Sequence, residues 1–132
     1  MSAPGRIMTA AIRSLVPMAH VADVERSIRY YAKLGFRLRN TFTPDGSRTP
    51  AWAWLESSGA SLMVSRATAP VAASEQAVLF YLYADDVAGL RASLDREGLG
   101  PGPIAYPFYA PRGEFRLTDP DGYVLMIMHT GS

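Results

Sequence analysis

The pattern of hydrophobic and polar residues repeats once along the chain. Each half shows the two-residue period of a strand, then the helical period, and then further strand-like segments. In the first half, residues 14–21 alternate with the two-residue period of a strand. Apolar residues then recur at helical spacing between Asp23, a good N-cap residue, and Gly35, a glycine placed to end a helix. Three shorter segments complete this half as predicted strands: residues 36–39, in which apolar and basic residues alternate, and residues 51–55 and 60–65.

The second half repeats this order after a linker of small and polar residues at 66–77. Its predicted elements are a strand at 78–84, a helix that begins after Asp85 or Asp86 and ends at Gly98, and a closing hairpin with strands at 114–118 and 123–129. Residues 98–113 are rich in proline and glycine, so we expect a long loop there with one short strand inside it.

A single offset of 63 residues relates the two halves. Adding 63 to a residue number in the first half gives the equivalent residue in the second. The N-cap Asp23 corresponds to Asp86, the helix-ending Gly35 to Gly98, and Met63 of the last strand to Met126. A repeat of this kind predicts an α+β fold of two tandem βαβββ modules. The modules span about 12–66 and 77–130, within a single domain that covers residues 1–132.

Composition narrows the function classes. The 132 residues are 48% hydrophobic and 19% charged, which is typical of a folded domain with a real core. The formal net charge of +1 leaves no broad basic surface for nucleic acid. Because the chain has no cysteine, disulfides, thiolate metal sites and a cysteine nucleophile are excluded. The sequence also contains no phosphate-binding glycine loop, serine elbow or HExxH motif.

The amino-terminal segment, Met1–Arg13, contains only short apolar pieces interrupted by Arg6 and Arg13. It is too short and too interrupted for a signal peptide or a membrane span. We therefore expect a cytoplasmic protein with a short leader and no membrane contact.

Two segments resemble the vicinal oxygen chelate superfamily, which includes glyoxalase I, extradiol dioxygenases, fosfomycin resistance proteins and bleomycin-binding proteins. They are HVADVERSIRYYAKLGF at 20–36 and FRLTDPDGYVL at 115–125, and the module order extends the resemblance over residues 12–130. The resemblance implies that the paired modules form a curved mixed sheet with an open cleft and with helices on the convex side. It implies little about activity, because the superfamily includes both enzymes and binding proteins.

The resemblance also implies a position for a divalent metal, held in many members by His and Glu from the first and last strand of each module. The corresponding residues here are Val16, Met63, Leu79 and Met126. Thioether and aliphatic side chains are poor ligands for hard or borderline divalent ions. We therefore expect no metal, no cofactor and no catalytic residue of the superfamily's usual kind.

The two histidines do not offer a replacement site. His20 shares the strand parity of Val16, whereas His129 has the opposite parity to Met126, so the two imidazoles should point away from each other. His20 is then either a residue at the rim of the cleft or a ligand contact.

Strand parity predicts which side chains line the cleft. They are Val16, Met18 and His20, then Ser61, Met63 and Ser65, then Leu79, Tyr81 and Tyr83, and finally Val124, Met126 and Met128. Unbranched thioethers adapt to varied apolar and aromatic ligands, but they also fill gaps in cores. The set is therefore either an apolar ligand pocket or part of the core.

Three further features are candidates for ligand contact. The 63-residue offset carries Trp52 and Trp54 onto Phe115 and Leu117, which favours a core position facing the helices, with a stacking platform for an aromatic ligand as the alternative. Arg116 falls on the opposite side of its strand, where it either clamps an anionic group or is a solvated or ion-paired arginine with Glu114 nearby. The loop at 106–112, which contains Phe108 and Tyr109, is either a lid over the cleft or a dimer contact.

Three functions follow from these features. The first is a metal-independent homodimeric protein that sequesters a small hydrophobic or aromatic compound such as an antibiotic. Bleomycin itself is not assigned, because it is cationic and its binders carry acid in the groove, whereas this cleft has an arginine. The second is a lyase or dioxygenase-type enzyme that uses His20 or Tyr81 as acid or base. The third is a dimeric module for protein interaction.

Overall fold

The computed structural model describes residues 11–130, so most of the predicted leader lies outside the described residues. The first module consists of β1 (Met18–Val21), α1 (Val24–Ala32), β2 (Arg37–Phe42), β3 (Trp52–Ser57) and β4 (Ala60–Arg66). A single 3-10 turn, Ala73–Glu75, lies in the linker. The second module consists of β5 (Leu79–Ala84), α2 (Val87–Arg96), β6 (Glu114–Thr118) and β7 (Val124–His129).

The strands form two mixed sheets, and the predicted α+β class with two related modules is confirmed. The first sheet has the order β1-β4-β3-β2 and the second has the order β5-β7-β6. In each sheet the first strand of the module pairs parallel to the last, and the last pairs antiparallel to the strand before it. The repeat is visible in the register, because Met18 pairs with Met63 just as Tyr81 pairs with Met126.

The short strand expected within residues 98–113 is reduced to one bridge, in which Ala105 pairs with Glu114. Pro101, Pro103 and Pro107 lie around this bridge, and a proline cannot donate a hydrogen bond to a neighbouring strand. The second sheet therefore has three strands where the first has four.

Both helices begin at the predicted aspartates. The Asp23 side chain accepts a hydrogen bond from the backbone N–H of Arg26, and the Asp86 side chain accepts one from the N–H of Gly89. Each bond satisfies a donor that the first turn of a helix leaves without a partner.

One hydrophobic core lies between the helices and the helix-facing side of the sheets, and it includes residues of both modules. The strand residues within it alternate with more exposed neighbours: Ala53 and Leu55 in β3, Leu62 and Val64 in β4, Phe115 and Leu117 in β6, and Leu125 and Ile127 in β7. Because these side chains occupy one face, the intervening side chains project from the opposite face. We call that opposite face the open face of each sheet.

The turn between β6 and β7 docks the second module onto the first. The Tyr31 hydroxyl in α1 donates a hydrogen bond of 2.6 Å to Asp119 Oδ2, and both residues are buried. Asp121 Oδ1 accepts from the backbone N–H of Ala22 at 2.8 Å and lies 3.3 Å from an Arg26 guanidinium nitrogen. Buried polar groups of this kind are stable only when their partners are in place, so these bonds fix how the modules pack.

Glycine is required in this turn for two reasons. Gly122 has a φ of +90°, which disfavours any side chain, and a Cβ added to it would lie 2.6 Å from the Cα of Ala73 in the linker. The turn therefore packs against the linker on one side and against α1 on the other.

We expect Tyr31→Phe to lower the free energy of unfolding by about 2 kcal/mol at pH 7, because it leaves a buried carboxylate oxygen without its donor. Guanidinium chloride unfolding followed by circular dichroism measures this difference. Tyr30→Phe is the matched control, since the Tyr30 hydroxyl only reaches the Thr118 carbonyl at 3.5 Å, and its effect should stay below about 0.5 kcal/mol.

The difference in unfolding free energy between the wild type and Tyr31→Phe should also depend on pH. Burial, and then the charge of Asp119, raises the pKa of Tyr31 above its ordinary value. Above about pH 10 the unfolded chain loses the phenol proton and the folded chain keeps it, so the advantage of the wild type over Tyr31→Phe should shrink by about 1.4 kcal/mol per pH unit. An advantage that stayed constant between pH 9 and pH 11, both rough bounds for this titration, would contradict the assignment.

Candidate functional site

The open faces of the two sheets carry equivalent rows of side chains. In the first sheet Met18, Met63 and Trp54 are neighbours in register across β1, β4 and β3. In the second sheet the corresponding row is Tyr81, Met126 and Arg116. The parity argument from the sequence therefore placed the strand methionines and tyrosines on the correct face.

The prediction that Trp52 and Trp54 face the helices is wrong. Ala53 and Leu55 are the core residues of β3, with exposures of 0% and 1%, so both indoles belong to the open face. The offset of 63 residues fails here, because Met126 pairs with Arg116 rather than with Leu117. The loop between β6 and β7 is longer than the turn between β3 and β4 by an odd number of residues, and this shifts the strand before it by one position.

Several of the predicted lining residues are exposed to solvent: Met18 at 48%, Leu79 at 53%, Tyr81 at 44% and Tyr83 at 58%. Others on the open face, including Met63, Met126 and Met128, are partly exposed. Val124 differs from its prediction, because it is only 9% exposed and lies next to the buried Leu125. Most of this set is a surface rather than a filled core.

A cavity of about 220 Å³ lies at the seam between the two modules. Pro17 and Ser61 line it from the first module, and Leu79 and Tyr81 line it from the second, with core residues beneath them. Val16 immediately precedes this wall, where the carbonyl of Pro17 accepts a hydrogen bond from the Met63 backbone N–H at 2.9 Å. The seam thus adjoins Val16 and Leu79, two of the positions at which the resemblance implies metal ligands.

The residues at those positions do not fit a divalent metal. Met63 and Met126 offer neutral thioethers, and Val16 and Leu79 offer only hydrocarbon. Within residues 11–130, no group of three or more His, Asp or Glu side chains is placed to hold an ion.

The two histidines lie on different sides of their strands. His20 is exposed and alternates with the buried Ala19 and Val21, so it belongs to the open face. It lines a polar depression under the linker together with Glu75, Gln76 and Tyr123, among others. Its exposed position beside this depression is compatible with both predicted alternatives, a rim residue and a ligand contact. His129 has the parity of Ile127, and its Nδ1 lies 2.6 Å from the Thr130 carbonyl.

Two acidic residues belong to the open faces, Glu114 beside Arg116 on the second sheet and Glu56 on the first, and sequence reasoning selected neither as a site residue. Glu114 has the same parity as Arg116 and is only 6% exposed. Glu56 accepts hydrogen bonds from the Trp54 indole at 3.1 Å and from Arg39 at 2.9 Å. Strand parity could have identified both residues, since side chains two positions apart on a strand point to the same face. The expectation that the cleft has an arginine in place of acidic residues is therefore wrong.

Arg116 is exposed and, among residues 11–130, no ion pair joins it to Glu114. The predicted ion pair with Glu114 is therefore not formed, whereas the solvated arginine of the same prediction agrees with this exposure. The first sheet carries Trp54 at the equivalent position, so the two open faces differ in chemistry at this position, where one has an indole and the other a guanidinium.

The loop at 106–112 reaches over one end of the second sheet. The Tyr109 hydroxyl donates a hydrogen bond of 2.9 Å to Glu114 Oε2. This bond is the largest of the causes that raise the pKa of Tyr109, followed by burial and by the charge of Glu114. Phe108 packs edge-on against the Tyr109 ring but is itself 95% exposed. The loop therefore presents an aromatic surface beside the open face.

With this geometry in place, comparison with known proteins identifies the family. The family model for the glyoxalase/bleomycin resistance protein/dioxygenase superfamily matches residues 15–127, so the chain belongs to that superfamily. The resemblance stated from the sequence is confirmed. Among proteins of curated function, none shows significant sequence similarity to the chain.

Solved structures share the fold at low sequence identity. A bleomycin-binding protein in complex with bleomycin matches with a TM-score of 0.70 and 17% identity over 90% of this chain and 99% of its own. A bleomycin resistance determinant encoded on transposon Tn5 matches with a TM-score of 0.73 and 16% identity over 92% and 100%. TnmS3, an antibiotic-binding protein from Streptomyces sp. CB03234, matches with a TM-score of 0.72 and 23% identity over 90% and 97%.

No helix in the described part of the chain, residues 11–130, has both the length and the apolar character needed to span a membrane.

Neighbouring residues of β7 provide a test of the open face. We expect Met126→Glu to cost less than about 1 kcal/mol of unfolding free energy, because its side chain is partly exposed and Arg116 is its cross-strand neighbour. Ile127→Glu should cost more than about 4 kcal/mol, because it places an unpaired charge in the core at a position that is 1% exposed. Thermal unfolding of both variants separates the two faces, and equal losses would refute the assignment.

Proposed function

We propose that this protein is a metal-independent binding protein that sequesters a small hydrophobic or aromatic compound on the open faces of its two sheets. The ligand belongs to the class of aromatic natural products that includes antibiotics. Binding is stoichiometric, and no bond of the ligand is made or broken. The proposed location is the cytoplasm, with which a chain that has no cysteine is compatible.

The observation that carries the proposal is the pair of side-chain rows centred on Met63 and Met126, residues at which the resemblance implies metal ligands. Each thioether lies between large side chains on neighbouring strands, Met18 and Trp54 in one sheet and Tyr81 and Arg116 in the other. Thioethers next to aromatic rings form an adaptable apolar surface, which suits an aromatic ligand and does not suit an ion.

The contacts proposed for the ligand come from both sheets and from the loop. They comprise Val16, Met18, His20, Trp52, Trp54 and Met63 from the first module, and Leu79, Tyr81, Tyr83, Phe108, Tyr109, Arg116, Met126 and Met128 from the second. Two proteins of similar fold support the ligand class, since one binds bleomycin and the other is an antibiotic-binding protein.

Thermal shift with a panel of aromatic antibiotics tests the proposal. At a ligand concentration about a hundred times its Kd, binding should add about 2.7 kcal/mol of stability and raise the Tm by several degrees. Prior dialysis against EDTA should not change the shift. Met126→Glu, which puts a charge in the centre of the row, should abolish it, whereas Ala92→Glu, on the exposed side of α2, should not.

Two results would overturn the proposal. One is a panel in which no compound raises the Tm, because a ligand that prefers the native state must stabilise it. The other is about one divalent ion per chain that survives dialysis, a rough stoichiometry that would favour an enzyme of the superfamily.

We also propose that the protein is a homodimer. Large apolar side chains are exposed at several places: Ile12 at 88%, Leu15 at 83%, Phe42 at 59%, Val78 at 60%, Tyr106 at 67% and Phe108 at 95%. Exposed apolar surface on this scale favours burial against a second molecule. A second copy would cover part of it and would also deepen the shallow surface of the open faces.

Size-exclusion chromatography with light scattering should give a mass of two 14.4 kDa chains at micromolar concentration. Phe42→Asp, which alters an exposed residue at the edge of the first sheet, should shift the equilibrium towards the monomer. Asp45→Asn, on the loop that follows, is the control. A wild-type chain that elutes with the mass of one chain would remove the dimer from the proposal.

A further inference from the structure

The methionines in the described part of the chain lie on the open faces and not in the core. Four of the chain's six methionines fall within residues 11–130: Met18, Met63, Met126 and Met128. Met18 is 48% exposed and the other three are partly exposed. The buried core consists instead of alanine, valine, leucine, isoleucine, phenylalanine and tyrosine. Since methionine commonly fills gaps in cores, its confinement to the candidate ligand surface is specific to that surface.

A thioether on an accessible surface is open to one covalent change. A hydroperoxide transfers an oxygen atom to Sδ, so the O–O bond breaks, an S=O bond forms and hydrogen peroxide leaves as water. The thioether is oxidised to a polar sulfoxide by two electrons, and the peroxide is reduced by the same two. Because the chain has no cysteine, no thiol of the protein competes for the oxidant.

Met126 has hydrogen-bond donors on both sides. Its neighbours in register are Tyr81 on β5 and Arg116 on β6, which carry a phenol and a guanidinium. Arg116 is exposed and forms no ion pair with another residue of the described range 11–130. A sulfoxide oxygen at Met126 is therefore placed among donors that stabilise it.

The other methionines of the open faces lack such a pair of donors. Met63 lies between Met18, which has no donor, and Trp54, whose indole N–H already donates to Glu56 at 3.1 Å. Met18 is on an edge strand and has only Met63 beside it in the sheet. Met128 has a phenol on one side but, on the other, the carboxylate that begins β6. Met126 is thus the position where a sulfoxide is best accommodated.

We propose that Met126 is a site of reversible oxidation, and that its conversion to the sulfoxide by a hydroperoxide switches off binding of the aromatic ligand. This inference rests on the proposed function and adds a regulation of the same site. The sulfoxide and its donors put a hydrogen-bonded polar group at the centre of the apolar row, and a ligand that covers it has to displace those bonds. The core contains none of the four methionines, so oxidation changes binding and leaves the fold intact.

Isothermal titration calorimetry with 2-naphthol, a neutral aromatic probe, tests the inference before and after treatment with hydrogen peroxide. Oxidation should raise the Kd about tenfold, the order expected when one polar group is covered without its partners. Methionine sulfoxide reductase with dithiothreitol, which removes the oxygen as water, should restore the original Kd. Tandem mass spectrometry of the tryptic peptide 117–132 locates the added oxygen, and circular dichroism should show an unchanged fold.

Three variants assign the effect to one residue, with each protein compared before and after peroxide. Met126→Leu keeps the volume but cannot be oxidised, so its Kd should rise by roughly twofold or less. Met63→Leu is the matched control from the other sheet, and its Kd should still rise about tenfold. Met126→Gln introduces a polar group of similar length, and without any peroxide its Kd should be about tenfold above that of Met126→Leu.

The outcomes distinguish this inference from the function on which it rests. If 2-naphthol binds the untreated protein and the protein oxidised at Met126 equally well, Met126 is not a switch but the aromatic site stands. A rise in Kd that survives Met126→Leu, or that disappears in Met63→Leu, also overturns the inference, as does a loss of binding accompanied by loss of the circular dichroism spectrum. If 2-naphthol does not bind the untreated protein at millimolar concentration, a rough ceiling for fragments of this size, both the aromatic site and its switch are refuted.

Discussion

The hydrogen bond between the Tyr31 hydroxyl and Asp119 is the contact on which the rest of this structure depends. It joins the helix of one module to the closing turn of the other, and both partners are buried. The neighbouring bonds of Asp121 reinforce it at the start of the same helix. Because this turn sets how the modules pack, it also sets the seam where the first and last strands of the two open faces meet. The turn between β6 and β7 therefore links the hydrogen bonds that hold the modules together to the candidate ligand site.

The two open faces share their geometry but not their chemistry. At equivalent positions next to the central methionines, the first sheet carries Trp54 and the second carries Arg116. One row along the same strands, Trp52 corresponds to Glu114. A ligand that bridges such faces meets indole rings beside Glu56 on one and Arg116 in a row with Tyr81 on the other. This asymmetry suits an aromatic compound with polar substituents better than a plain hydrocarbon, and it requires no metal at the junction.

Local sequence patterns predicted the positions of the helices and strands well. They failed to predict the register in which the strands pair. Asp23 and Asp86 cap helices as expected, because capping depends on residues three positions apart. The repeat placed Met63 and Met126 correctly, yet it placed Trp54 on the wrong face. Strand register depends on turn length, and the two hairpins differ by an odd number of turn residues. A one-residue shift leaves the sequence pattern plausible while it reverses every side chain of β3 relative to the expectation.

The sequence by itself determined the two modules and the helix limits, because these follow from local periodicity and residue type. The resemblance to the superfamily added that Val16, Met63, Leu79 and Met126 stand where metal ligands are implied. Only the tertiary structure decided that Glu114 is buried beneath Tyr109 while Arg116, two residues away on the same face, is exposed. Burial of one position and exposure of its neighbour depend on where a proline-rich loop folds back over the sheet. That path is a long-range property, and no pattern within a single strand contains it.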